Sequence, residues 1–212
     1  MNFTVAGGTL DSGVVVGNKY DKYNTRNPIA QRIMRGFDSS LSELVAIARP
    51  QSIHDVGCGE GYWTLRWLEQ GYQVKGSDFS SQAIEIARRN AANRGLSEQT
   101  FSATSIYDLD PSRDGADLIV CCEVLEHVES PKEAIAALKA VTREWLIVSV
   151  PREPLWRILN IARGQYLSDL GNTPGHIQHW SKSSFIDLVG SYFGVKEIRS
   201  PLPWTMLLCR KA

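Results

Sequence analysis

Short apolar runs alternate with longer amphipathic stretches through most of this chain, and the alternation constrains the fold more than any other feature. The segments 52–56, 73–78, 117–122 and 145–150 are predicted to be strands, and 117–122 has the continuous apolar character of a strand that is buried on both faces. Strands that are separated by helices are joined by crossover connections, which make neighbouring strands parallel. The sequence therefore predicts an α/β fold with a doubly wound sheet.

The C-terminal part of the chain has a different pattern. Residues 195–199 and 204–210 are two apolar runs with little sequence between them. Such spacing predicts an antiparallel hairpin at one edge of the sheet. The whole chain has 212 residues, which is within the range of one domain, so we predict a single domain over 1–212.

Composition limits the possible partners and the compartment. Lys plus Arg and Asp plus Glu are 23 each, so no basic excess attracts polyphosphate, and we expect no nucleic-acid partner. Residues 1–10 contain no Lys or Arg and no long apolar run, so we expect neither a signal peptide nor a membrane anchor, and a cytoplasmic location. The 4 cysteines include no Cys-x-x-Cys pair, and we expect all of them to be reduced.

A glycine loop directly follows the first buried strand. Gly57 and Gly59 let the backbone approach a ligand without an intervening Cβ, and the amides at the start of the next helix can face an anionic group. Asp78 ends the next strand, at about the distance where dinucleotide-binding folds place a carboxylate for the ribose hydroxyls. The pattern predicts a site for a ligand that contains a nucleoside.

The spacing of the glycines, Gly57-x-Gly59-x-Gly61, departs from the dehydrogenase fingerprint, which has two residues before its third glycine. Together with the segments 55–61 (DVGCGEG), 76–80 (GSDFS) and 122–128 (CEVLEHV), it resembles the class I S-adenosylmethionine-dependent methyltransferases. The branch that it resembles most contains the ubiquinone-pathway O-methyltransferases and many small-molecule enzymes. The resemblance covers about 41–150 strongly and continues more weakly from 176 to the end.

This resemblance implies a Rossmann-like, mostly parallel sheet of about seven strands that ends in the antiparallel C-terminal hairpin, with S-adenosylmethionine as the cofactor. At one position the sequence departs from the pattern, because Ser105 stands where relatives often have an Asp that binds the adenine amine. The residues that the resemblance assigns to the cofactor are Asp55, Gly57, Gly59, Asp78, Phe79, Ser105, Ile106, Cys122 and Glu123.

Transfer of a methyl group to a hydroxyl benefits from a base near the methyl. His127, His176 and His179 lie where the resemblance puts the rim of the site, and we consider them catalytic candidates, with loop orientation or packing as the alternative for each. Some relatives bind a divalent metal with a Glu-x-x-Glu-His pattern like that of Glu123, Glu126 and His127. Many others carry these residues without a metal, and we predict that this protein uses none.

The segments outside the core are expected to cover the site, by analogy with the family. We assign 41–150 to the cofactor-binding core, 1–40 to an N-terminal cover that includes 19–23, and 152–180 to a substrate lid. The amphipathic stretch within 152–170 could instead dock on the core, or contact a membrane surface or a second subunit.

The function that we predict is transfer of a methyl group from S-adenosylmethionine to a small-molecule acceptor, on a hydroxyl oxygen, by in-line displacement. Nitrogen and carbon acceptors stay open, as does the oligomeric state. A nicotinamide-dependent oxidoreductase is one alternative, although the glycine spacing counts against it. A non-catalytic regulatory module that binds S-adenosylmethionine is another.

Overall fold

The computed structural model describes residues 3–7, 10–11, 14–15, 17 and 25–212, and the segment 19–23 lies outside them. Near the N-terminus, β1 (Leu10–Asp11) and β2 (Val14–Val15) pair antiparallel. The helices of the described residues are α1 (Pro28–Ala48), α2 (Tyr62–Glu69), α3 (Ser81–Ala92), α4 (Pro111–Asp114), α5 (Pro131–Val141), α6 (Leu155–Ala162) and α7 (Lys182–Gly190). The main sheet contains β3 (Ser52–Val56), β4 (Gln73–Asp78), β5 (Phe101–Ala103), β6 (Ala116–Cys122), β7 (Thr142–Pro151), β8 (Gly194–Arg199) and β9 (Trp204–Arg210).

The main sheet is seven-stranded, in the order β5-β4-β3-β6-β7-β9-β8. The strands from β5 to β7 are parallel, and β9 runs antiparallel to both β7 and β8. This topology confirms the predicted fold and its C-terminal hairpin. The strand order reverses between β3 and β6, so the carboxyl ends of these two strands flank a crevice, which is where open α/β sheets bind ligands.

Apolar side chains on the two faces of the sheet explain why it forms. Leu118 and Val120 of β6 point to one face and pack with α1, whereas Ile119 and Cys121 point to the other and pack with α5 and α7. All four are buried. A strand that is covered on both faces needs a continuous apolar run, which is the pattern seen in the sequence.

Two local details differ from the sequence prediction. The sequence pattern predicts a first helix over 41–48, but α1 begins at Pro28, where the Asn27 side chain accepts hydrogen bonds from two main-chain amides. Ser130 was expected to cap α5 as part of a capping box, yet its side chain makes no capping hydrogen bond, and Pro131 starts the helix without it. The assigned N-terminal cover, 1–40, therefore includes the first half of α1.

His54 has a structural environment inside β3. Its Nδ1 donates to the main-chain carbonyl of Asp114 at 2.8 Å, and its Nε2 accepts from the Ser77 hydroxyl at 2.8 Å. Burial lowers the pKa of His54 from 6.5 to about 4, so the ring stays neutral near pH 7. A neutral ring with both nitrogens hydrogen-bonded contributes to the packing of the sheet.

The remaining chain-wide predictions concern thiols and membranes. All four cysteines are free thiols, in agreement with the sequence prediction, and burial raises the pKa of the Cys121 thiol. Among the described residues, none of the helices combines the length and the apolar character that crossing a membrane requires.

Candidate functional site

The glycine loop joins β3 to α2 at the carboxyl edge of the sheet. Gly57 has φ +78°, and a Cβ on it would lie 2.2 Å from Cγ2 of Val124. Gly59 has φ +52°, and apart from its two chain neighbours no atom of the described residues lies within 4 Å of the position its Cβ would take. Both residues need the left-handed backbone that glycine adopts without strain. The space beside Gly59 is open, so a ligand can approach the backbone closely there.

Asp78 lies at the carboxyl end of β4, next to this loop. Its Oδ2 accepts from the Gly59 amide at 2.9 Å, and its Oδ1 accepts from the Ser80 amide at 3.0 Å. These bonds hold the carboxylate, which is 9% exposed, at the edge of the cleft. The neighbouring Phe79 is 52% exposed and offers an apolar ring beside the carboxylate. A ribose and an adjoining aromatic base need this pair of surfaces.

Asp55 lies at the end of β3, below the glycine loop. Its carboxylate accepts from the Thr64 hydroxyl at 2.7 Å. The pKa of Asp55 is raised to about 7, mainly because the carboxyl is buried; hydrogen bonds from Thr64 oppose the rise, and the charge of Asp78 contributes to it. A cationic group bound nearby would favour the ionised form of this carboxyl. The site therefore suits a ligand with an amino group here.

Ser105 and Ile106 follow β5. The Thr104 amide donates to the main-chain carbonyl of Asp78 at 2.8 Å, which places this segment beside the carboxylate. The Ser105 hydroxyl accepts from the Tyr107 amide at 3.3 Å and caps a short 3-10 helix. Ile106 is buried in the hydrophobic core. The Ile106 side chain thus serves packing, and the main chain is what it presents to a ligand.

Cys122 and Glu123 end β6 beside the glycine loop. The Cys122 side chain packs against the cluster that contains Phe37 and Trp204, and burial raises the pKa of its thiol. Glu123 has φ +61°, and its carboxylate accepts hydrogen bonds from the Ser149 hydroxyl and from Trp204 Nε1. Both side chains therefore have partners in the neighbouring strands.

The histidines predicted from the sequence separate into two environments. Ligand atoms of Glu126, His127 and His176 all lie within 4.8 Å of one another, and we name these three residues the Glu–His cluster. His179 lies outside this cluster, where its Nε2 is 3.0 Å from Arg157 and 2.8 Å from the Asn172 side chain. Of the three histidines, the structure brings His127 and His176 together.

Main-chain hydrogen bonds assemble the Glu–His cluster from two distant segments. The amides of Ile177 and Gln178 donate to the carbonyl of Glu126 at 2.9 and 3.1 Å. His127 Nδ1 lies 2.9 Å from the carbonyl oxygen of Gly175, which can only accept, so Nδ1 carries the proton. Nε2 of the neutral ring is therefore the nitrogen with a lone pair.

Charge and burial set the protonation state of the other two histidines. Burial lowers the pKa of His176 to about 3, and nearby His127 and His179 add to the effect. Burial and the neighbouring Arg157 guanidinium lower the pKa of His179. His176 is therefore neutral near pH 7 and acts as a dipole or a ligand rather than as a charge.

Aromatic residues border this cluster, and one of them, Trp156, belongs to the segment 152–180 that the sequence analysis assigns to the lid. Trp156 of α6 stacks on His176 with 5.7 Å between ring centroids, and it lies 6.0 Å from the ring of Trp204. The Trp156 indole donates to the Thr173 hydroxyl at 2.9 Å. Local sequence patterns carry no signal for these contacts, because they join α6, β9 and the segment before α7.

The core of the chain is similar in sequence to known proteins. Residues 53–144 match the model of a methyltransferase domain family. The ubiquinone biosynthesis O-methyltransferase of Pasteurella multocida is 26% identical over 170 residues, which are 68% of this chain and 69% of that protein. The enzyme of the same name from Idiomarina loihiensis is 34% identical over 89 residues, but these span only 41% of this chain and 36% of that protein.

Comparison with solved structures finds proteins whose fold is similar to that of this chain. The crystal structure of magnesium protoporphyrin IX methyltransferase from Synechocystis PCC 6803 with bound SAH has a TM-score of 0.67. The superposed residues are 89% of this chain and 90% of that protein's chain, and the sequence identity is 21%. At this identity the likeness supports the fold.

Proposed function

We infer that this chain, which belongs to the class I S-adenosylmethionine-dependent methyltransferases, transfers a methyl group to a hydroxyl oxygen of a small molecule. The observation that carries the proposal is the position of the Glu–His cluster. Glu126 and His127 follow the carboxyl end of β6, which pairs with β3, and the glycine loop follows the carboxyl end of β3. The nucleoside side and the polar side of the cleft thus face one reaction space.

The residues around the switch point fit S-adenosylmethionine. Asp78 would accept hydrogen bonds from the ribose hydroxyls, Phe79 would cover the adenine, and the space beside Gly59 would take the methionine chain attached to the ribose. Asp55, with its raised pKa, would meet the cationic amino group. When bound, the cofactor supplies a methyl group on a positively charged sulfur, which is already activated for displacement.

The protein must then align the acceptor and remove its proton. His127 is the best placed base, because the Gly175 carbonyl fixes its tautomer and leaves Nε2 free of a proton. Glu126 is buried next to it, and its negative charge would stabilise the imidazolium form. His176, neutral and stacked on Trp156, would orient the acceptor hydroxyl through a hydrogen bond.

A hydroxyl acceptor is also the group named in the ubiquinone-pathway relatives, and the balanced charge of the chain favours a small molecule over nucleic acid. The direct test is conversion of S-adenosylmethionine to S-adenosylhomocysteine with a panel of phenols, catechols, aliphatic alcohols and matched amines. We expect turnover with at least one hydroxyl compound. Turnover with amines alone would contradict the choice of oxygen, and cofactor binding without any turnover would favour the regulatory module.

A second mechanism for the same site has one observation in its favour. The Glu–His cluster has the donor atoms and spacing of a divalent-cation site, and Glu126, His127 and His176 would be the ligands. A cation there would lower the pKa of the acceptor hydroxyl in place of a base. The carboxylate of Glu123, which could have supplied a further oxygen, is instead hydrogen-bonded to Ser149 and Trp204.

We therefore expect activity to survive removal of metal. Dialysis against EDTA followed by metal-free buffer should leave turnover within about twofold of the untreated enzyme, because His127 needs no cation to accept a proton. The measurement is the rate of S-adenosylhomocysteine formation with and without added Mg²⁺, Mn²⁺ or Zn²⁺. A loss of turnover that one of these cations restores would replace the base mechanism by the cation mechanism.

We further propose that α6 and the residues after it form the predicted lid over the acceptor. Trp156 and Asn160 anchor the inner face of α6 to the segment 171–173. Ile158, on the outer face, is 56% exposed, and Ile161 and Leu170 are exposed as well. The bonds of Trp156 and Asn160 run to residues of the same segment, so they need not break if 152–180 opens as one unit, and the contacts that opening would break include those of the Trp156 ring with His176 and Trp204.

Hydrogen exchange tests the lid. We expect the amides of α6 to exchange faster than those of α5 in the free protein, and to slow when S-adenosylhomocysteine and an accepted substrate are both added. Helix α5, which is packed on the sheet, is the internal reference. The lid proposal fails if α6 already exchanges as slowly as β6 in the free protein and if Trp156→Ala leaves acceptor selectivity unchanged.

A further inference from the structure

The side chain of Glu123 is committed to the strands beside it. Oε1 accepts from the Ser149 hydroxyl at 3.0 Å, and Oε2 accepts from Nε1 of Trp204. The Glu123 amide donates to the carbonyl of Ser149 at 3.1 Å. Main chain and side chain therefore both tie the end of β6 to β7, and the carboxylate extends the link to β9.

The backbone at Glu123 points to a function for this carboxylate. Its φ of +61° is uncommon for a residue with a Cβ, whereas glycine adopts it without strain. A strained non-glycine residue persists only where its surroundings hold it, and such residues concentrate at functional sites. The hydrogen bonds from Ser149 and Trp204 are the interactions that the Glu123 side chain gains here.

Trp204 transmits the position of Glu123 to the Glu–His cluster. Its ring is 5% exposed, lies 6.0 Å from that of Trp156, and is fixed on its other side by Phe37 at 5.0 Å. Trp156 in turn stacks on His176, with 26° between the ring planes. His176 meets His127 edge to face at 4.9 Å. The ring contacts thus continue from β9 through α6 to the proposed base.

A buried indole N–H needs an acceptor, and a neutral carbonyl would be enough for that purpose. A carboxylate makes a stronger, charge-assisted hydrogen bond, which fixes the rotation of the Trp204 ring more firmly. The Thr173 hydroxyl accepts from Nε1 of Trp156 in the same way. Both indoles in the series are therefore held by hydrogen bonds as well as by packing.

We propose that Glu123 is a positioning residue, which acts through Trp204 and Trp156 to hold His176 against the acceptor. The part of the proposal that concerns the acceptor rests on the proposed methyl transfer to oxygen. The orientation of the two indoles is a property of the free protein and is tested separately. This role differs from the contact with the cofactor that the sequence analysis assigned to Glu123.

Three substitutions separate the carboxylate from the backbone. Glu123→Gly removes the carboxylate and accepts the positive φ without backbone strain, and its thermal unfolding is compared with that of the wild type because it leaves the buried Trp204 N–H without this acceptor. Glu123→Gln keeps an oxygen that can accept from Trp204. Trp204→Phe keeps a ring but removes the N–H. The substrate is the hydroxyl compound that the wild type accepts. We expect kcat/KM for this compound to fall about 10-fold in the Glu123→Gly and Trp204→Phe variants, which is the effect of losing one charge-assisted hydrogen bond. In Glu123→Gln it should stay within about threefold of the wild type.

Two further measurements complete the test. The Kd for S-adenosylhomocysteine, from calorimetry, should stay within about twofold in all three variants. The near-ultraviolet circular dichroism of the free protein should change for Glu123→Gly and change little for Glu123→Gln, both of which keep the Trp204 indole. The proposal is overturned if the Gly and Gln variants have the same spectrum, or if the Gly variant loses affinity for the cofactor product as much as activity. If the wild type methylates no hydroxyl, the proposed function fails, while the spectra still decide whether Glu123 orients the indoles.

Discussion

Replacing His127 with alanine is expected to lower turnover about 10²–10⁴-fold, the usual contribution of a general base. The Gly175 carbonyl accepts from Nδ1, so Nε2 is the position that receives the acceptor proton. The substitution removes that nitrogen and leaves the glycine loop and Asp78 intact. The kcat of His127→Ala should therefore fall while its Kd for S-adenosylhomocysteine changes little.

The matched variant is His127→Asn, whose side-chain amide can still donate to the Gly175 carbonyl but cannot take up a proton at neutral pH. We expect it to be as inactive as His127→Ala. If the asparagine restores turnover, then the ring of His127 only orients the segment before α7, and the base assignment is wrong. A parallel loss of thermal stability and cofactor affinity in both variants would lead to the same conclusion.

The fold could be predicted from the sequence because burial on both faces leaves a continuous apolar run. The strands β6 and β7 are of this kind, and the glycine loop after β3 is a local motif whose backbone requirements are visible in the residues themselves. β5 was not predicted. It has three residues at the edge of the sheet, and only Phe101 of them is buried.

The start of α1 was missed although its signal was present. Asn27 followed by Pro28 is a typical helix start, but Gly36 and the serines that follow it weaken the helical pattern between this cap and Leu41. Packing of Phe37 against Trp204 compensates for the low intrinsic propensity. The sequence alone does not contain that tertiary contact.

The candidate site could be predicted only where its residues are close in sequence. Asp78 and Phe79 take the positions expected from the motif, next to the glycine loop. The association of His127 with His176 depends on main-chain hydrogen bonds to Glu126, which no side-chain pattern encodes. The spacing of Glu123 and Glu126 would place them on one face of a helical turn, but Glu123 has a positive φ and its side chain bonds to β7 and β9 instead.

Replacing Asp78 with alanine is expected to weaken binding of S-adenosylmethionine by about 1.5–3 kcal/mol, the contribution of hydrogen bonds to a charged group, or about 10–150-fold in Kd. The variant would lack the hydrogen bonds from the ribose hydroxyls to the carboxylate. It would also lack the bonds by which the carboxylate holds the amides of Gly59 and Ser80 at the edge of the cleft. Both losses act in the same direction, and titration calorimetry with S-adenosylhomocysteine measures their sum.

Two variants divide that sum. Asp78→Asn keeps one oxygen for an amide of the loop but lacks the charge, so its Kd should lie between those of the wild type and the alanine variant. Asp110→Ala removes an exposed carboxylate that caps α4 and should leave the Kd unchanged. NAD should not bind to any of these proteins, because the glycine spacing lacks the turn that a dinucleotide pyrophosphate needs. An unchanged Kd in Asp78→Ala would falsify the ribose assignment. Tight binding of NAD by the wild type would support the alternative function, a nicotinamide-dependent oxidoreductase.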